Sequence, residues 1–140
     1  MIIPIRVVPP YFDDASYIDE LAKHITRHEQ GLNWESEYCV TSFHGLPRSV
    51  IEKGDPYQEQ CETTVSMLRD KLGRNEQNMP LVYLSRSGRA VWIGLDMEET
   101  LIDLASDGVR NLTVVAPVFA ADCIETLEEI ELRAIDGSRG

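Results

Sequence analysis

Apolar positions along the chain change period several times, and each change marks an element. Residues 2–8 are a short β-branched run that stops at Pro9-Pro10, which reads as a strand. Over residues 15–29 the spacing becomes helical, with Ile18, Leu21, Ala22 and Ile25 on one face. Residues 30–36 are polar and loop-like, residues 37–43 read as a second strand, and a long loop follows over 44–54. The next helix is signalled at both ends. Asp55 can cap it, Pro56 takes the first helical position and Gln58 the third, which makes a capping box. Cys61, Val65, Leu68 and Leu72 form its apolar face, and Gly73 supplies the stop. A strand at 81–84 follows the polar stretch 74–79, and a helix at 98–107 turns Leu101, Leu104 and Ala105 inward before Gly108. Residues 112–117 read as a strand, and a last helix begins after Asp122.

Strand followed by helix, four times over, implies a parallel sheet buried on both faces. Right-handed crossovers narrow this to an open, doubly wound α/β sheet of about four strands with helices on both faces. Without an internal repeat or a linker, residues 1–140 are expected to form a single α/β domain. Strand order has no local signature and stays open.

Composition narrows the function classes. With 43% hydrophobic residues the chain can bury a core, while 24 acidic against 13 basic residues give a net charge of −11. Such a surface repels phosphates and anionic lipids, so no nucleic acid partner is expected. No transmembrane segment and no signal peptide are expected, because the apolar runs are too short and the first segment lacks a basic stretch. Cys39, Cys61 and Cys123 form no CxxC pair, which argues against a disulfide framework or zinc knuckle and for a cytoplasmic location.

Ligands of an open α/β sheet bind beyond the carboxyl ends of the strands. Three loops qualify: the segments from Ser42, from Ser85 and from Val118. His44, ahead of the turn Gly45-Leu46-Pro47, reads either as a turn-shaping histidine or as a metal ligand and proton acceptor. An ordinary imidazole pKa of about 6.5 suits both of the latter tasks. Glu125 has two readings as well, since Asp122-Cys123-Ile124-Glu125 is itself a capping box. Glu128, Glu129 and Glu131 follow it; Glu125 and Glu129 share a helix face, where like charges cost roughly a few tenths of a kcal/mol. A carboxylate stripe of this kind can relay protons or hold a divalent cation, or simply face solvent. Ser85-Arg86-Ser87-Gly88-Arg89 lacks the glycine pattern of a phosphate loop. Trp92 reads as core or cleft wall, and Cys39, Cys61 and Cys123 as buried thiols.

Two of these loops carry a resemblance. Ser42-Phe43-His44-Gly45-Leu46-Pro47 with Gly54-Asp55-Pro56-Tyr57 resembles the histidine segment of the ferrochelatase family. Phe119-Ala120-Ala121-Asp122-Cys123-Ile124-Glu125 through Ile130 is similar to that family's glutamate segment. Residues 5–18, and Ser85-Arg86 with Gly88 and Trp92, extend the likeness to about residues 2–131. Leu84, Ser87 and the segment Gly94-Leu95-Asp96-Met97 depart from the family's usual residues.

The resemblance implies a Rossmann-like chelatase half, matching the C-terminal half of ferrochelatase, with the N-terminal half and the final strand and helix absent. It implies a lyase that inserts Fe2+ into protoporphyrin IX to form haem. His44 and Glu125 would then be metal-site residues, and His44, Glu125 and Glu129 catalytic ones. Iron and protoporphyrin IX are the expected partners, iron as substrate, with no tightly bound cofactor. Two alternatives stand beside this: a non-catalytic porphyrin- or metal-binding half-domain, and a half-size homodimeric chelatase for another tetrapyrrole and divalent metal. Pairing with a second copy or with a separate N-terminal half would rebuild a cleft.

Overall fold

The computed structural model describes residues 11–84 and 90–117. In chain order these contain α1 (Ala15–Gln30), β1 (Tyr38–His44), α2 (Arg48–Glu52) and α3 (Tyr57–Leu72). They continue with β2 (Leu81–Leu84), β3 (Leu95–Asp96), α4 (Met97–Ser106) and β4 (Leu112–Val115). The strand expected at 2–8 and the helix expected after Asp122 lie outside the described residues.

The strands form one parallel sheet of order β3-β2-β1-β4. Side chains alternate across it, so β1 sends Cys39 and Phe43 to one face and Val40 to the other. Cys39 joins Ile18, Ala22 and Ile25 of α1 and Leu68 of α3, while Phe43 joins Cys61 and Val65 of α3. On the opposite face Val40, Val82 and Leu84 pack against Met97 and Leu101 of α4. Helices therefore cover both faces, as the doubly wound reading requires. No helix among the described residues is long and apolar enough to cross a membrane.

Local chemistry explains the helix ends. At α1 the Asp14 carboxylate accepts the Tyr17 N–H at 3.0 Å, satisfying one orphan donor of the first turn. Gly73 closes α3 in the left-handed conformation, φ 65°, which lets its N–H reach Arg69 O. The start of α3 differs from the capping box expected there. The Asp55 N–H points to Val50 O (3.4 Å), so it is not Gln58 that satisfies it, and the Asp55 carboxylate instead accepts the Tyr57 N–H at 2.9 Å. The helix proper begins at Tyr57, with Pro56 flanking it.

Two short elements have no counterpart in the sequence reading. α2 interrupts the expected 44–54 loop, and β3 extends the sheet beyond β2. Asp96, the last residue of β3, caps α4 by accepting the Glu99 N–H at 3.0 Å.

The amino rim of the sheet is cross-braced. Arg74 reaches both carboxylate oxygens of Glu29 at 3.3 Å and donates to Ser36 O and Asn78 O. The Thr113 hydroxyl donates to Glu29 Oε1 at 3.0 Å, which ties β4 to the end of α1. The opposite, carboxyl rim carries the candidate chemistry.

Candidate active site

β1 has strands on both sides, and its register with β2 pairs His44 with Leu84. His44 is thus the last residue of the strand and not the first of the loop, one position further than the sequence suggests. The order of strands reverses between β1 and β4: the chain moves outward through β2 and β3, then returns to the far side of β1. In open α/β sheets ligands bind outside the carboxyl ends of the strands at such a reversal, and His44 is the last residue of one of the two strands that meet there. By alternation along β1, His44 shares the face of Val40 and Ser42, the face on which the Ser42 hydroxyl meets the Met97 sulfur at 3.4 Å.

The backbone around His44 is tightly held. Its carbonyl accepts the Tyr57 hydroxyl at 2.8 Å, and the next amide, Gly45 N–H, donates to Leu84 O at 2.7 Å. A Cβ on Gly45 would stand 2.8 Å from Leu84 O and 3.2 Å from the Trp92 ring, so the position admits no side chain. Past Gly45 the chain pairs with residues 91–93. Ile93 N–H donates to Leu46 O (3.1 Å), Arg48 N–H donates to Val91 O (2.7 Å), and Pro47 bridges Trp92. Trp92, read from sequence as core or cleft wall, stands against the turn that follows His44.

Beneath this turn lies a neutral floor of Phe43, Tyr57, Cys61, Val65, Tyr83 and Ile93. Burial pushes the Cys61 thiol up to about 11 and holds the Tyr57 and Tyr83 phenols above their ordinary range, with Cys61 adding to both. The Tyr83 hydroxyl is buried and has no hydrogen-bond partner among the described residues. Gly94, at φ 60°, lets the chain pass over the Tyr83 ring, which would lie 2.5 Å from a Cβ there.

Among the described residues, several positions that depart from the family pattern have structural work. Leu84 is 3% exposed in the core beneath α4, Gly94 clears Tyr83, and Asp96 caps α4. The sequence missed Tyr57: its apolar spacing makes it one more helix residue, and nothing local reports where its hydroxyl goes.

Of His44, Glu125 and Glu129, His44 is within the described residues; Glu125 and Glu129 lie outside them, as do Cys123 and the segment 85–89. Among the described residues no three His, Cys, Asp or Glu side chains are grouped to hold a metal ion. A groove of about 440 Å³ between α3 and the β3 edge, lined by Gln58, Glu62, Arg69, Tyr83 and Leu95, does not include His44.

The fold is thus an open parallel α/β sheet with a half-buried histidine ending a strand at the reversal of strand order. The chain belongs to the ferrochelatase family: the Ferrochelatase family profile matches residues 1–137. Curated relatives are similar over most of it. It is 51% identical over 126 residues to the ferrochelatase of Rhodopseudomonas palustris (strain BisB5), covering 90% of this chain and 36% of that protein. To the ferrochelatase of Agrobacterium fabrum it is 46% identical, covering 90% and 37%, and to that of Rhizobium meliloti 45%, covering 94% and 39%. The chain thus spans a little over a third of the length of these relatives.

Proposed function

We propose that the chain supplies the metal-handling part of a ferrochelatase, which inserts Fe2+ into protoporphyrin IX in haem biosynthesis. The observation that carries this reading is His44 at the end of a strand paired on both sides, at the reversal of strand order, in a chain matched to the family over residues 1–137. Insertion requires two pyrrole N–H protons to leave and the iron to shed water. A neutral imidazole at position 44 accepts a proton or presents nitrogen to iron. The Glu125 carboxylate gives the cation a hard oxygen ligand, and Glu129 carries protons away from it. Trp92, beside the same turn, forms part of the wall against which a flat macrocycle lies.

The test is anaerobic mixing of the chain with protoporphyrin IX and ferrous iron, followed by the change in porphyrin absorbance. Conversion to haem that depends on His44 supports the reading; wild-type chain that leaves the porphyrin metal-free ends it for this chain.

A second reading follows from the coverage of little over a third of its relatives: a half-domain that binds porphyrin or metal without turnover. Porphyrin fluorescence quenching by the chain without iron incorporation distinguishes it.

A further inference from the structure

We infer that Tyr57 is a positioning residue for His44, an inference that rests on the metal-site role proposed for that histidine. The Tyr57 hydroxyl donates to the His44 carbonyl at 2.8 Å. That carbonyl stands where strand pairing thins out. Among the described residues the β4 ladder runs to Thr41–Val115, and on the β2 side the bond at this level is made by the Gly45 amide. A hydroxyl thirteen residues further along the chain thus fixes the peptide plane that follows the imidazole's own Cα.

Tyr57 is itself held at both ends. Its N–H is fixed by the Asp55 carboxylate at 2.9 Å, across the rigid Asp55-Pro56 step, and its ring packs against the buried cluster of Phe43, Cys61, Val65, Tyr83 and Ile93. Gly54-Asp55-Pro56-Tyr57, otherwise a helix start without a capping box, becomes a strut. One carboxylate sets the tyrosine, and the tyrosine sets the histidine. Small displacements matter for such a group, because a misplacement of about 1 Å can cost on the order of a hundredfold in rate.

Tyr57→Phe removes only the oxygen. In the full chain it is expected to move the His44 ring cross-peak in a proton–carbon correlation spectrum at fixed pH while leaving those of His24 and His28, both on α1, in place. Under metallation conditions it is expected to lower kcat about tenfold or more with KM for porphyrin unchanged. If wild-type chain is inactive, the proposed function fails but the spectral comparison still decides the positioning role. An unmoved His44 signal, or equal shifts of all three histidines, overturns the inference. Should Tyr57→Phe not fold, Asp55→Ala takes its place: the His44 signal alone moves if the strut exists, and stays if it does not.

Discussion

Gly45 N–H donates to Leu84 O at 2.7 Å, and the same carbonyl oxygen stands 2.8 Å from the place a Cβ on Gly45 would occupy. The strand carrying His44 and its neighbour β2 therefore approach as closely as backbone allows. Since the obstructing atom is backbone and the Trp92 ring closes the other side, a methyl group forces the two strands apart. Gly45→Ala is expected to lower metallation at least tenfold by displacing His44, measured as initial rate against wild type at equal folded fraction from circular dichroism. Wild-type rates in this variant would show that the close approach does not set the imidazole.

His44→Ala tests the central assignment. The imidazole is half-buried and contributes little to the core, so loss of metallation with a thermal midpoint near that of wild type is expected. Retained turnover would falsify the role given to His44.

Glu125→Gln separates the two readings of the glutamate. It keeps the side-chain shape and the ability to bond back to a helix start, so activity is expected to vanish while thermal stability changes little. A large fall in the midpoint with activity intact points to capping alone.

Gly94→Ala probes the floor and not the chemistry. It combines a positive φ with a Cβ 2.5 Å from the Tyr83 ring, and a loss of about 2–4 kcal/mol in denaturant unfolding is expected. By contrast, Lys71 and Asp19 meet at 2.8 Å on an exposed surface, and parting them is expected to leave unfolding unchanged. The Arg74–Glu29 pair, largely shielded and shared with Thr113, behaves differently: Glu29→Gln is expected to cost about 1–3 kcal/mol.

Stability is expected to fall in alkali. Burial raises the Cys61 thiol from 9.0 to about 11, so between these values the unfolded chain has lost a proton that the folded chain keeps. Unfolding then releases protons, and each rise in pH favours it. Stability from this thiol is complete below about pH 9 and is gone above about 11, with Cys39, Tyr57 and Tyr83 pulling in the same direction. Thermal midpoints recorded from pH 8 to 11 should decline, and less steeply in Cys61→Ala; a flat profile in the wild type would contradict the burial argument.

What the sequence disclosed and what it hid divide along physical lines. Ile18, Ala22 and Ile25 repeat at helical spacing and are all buried, so α1 was legible to within a residue. Gly73 marked the end of α3 because only the left-handed conformation closes that turn easily. β3 is two residues long, too short for alternation to register, and α2 buries no residue, so neither leaves a periodic trace. His44 read as loop because a polar residue before Gly-Leu-Pro resembles a turn; only its pairing with Leu84 makes it strand. The capping box at Asp55 failed because Val50 O, five residues earlier in the short helix α2 that the sequence does not signal, takes the amide. Of the candidate site, the position of His44 at the carboxyl end of a strand was legible; the carboxylates Glu125 and Glu129 fall outside the described residues.

The division of labour between the two rims has an evolutionary consequence. Ionic cross-bracing is concentrated at the amino end, where Arg74, Glu29 and Thr113 bind helix to sheet, far from the histidine. Among the described residues the turn after His44 is held by backbone pairing and apolar packing, and takes no part in this ionic bracing. Substitutions there leave this bracing in place, so the scaffold can absorb more change at that rim than at the amino one.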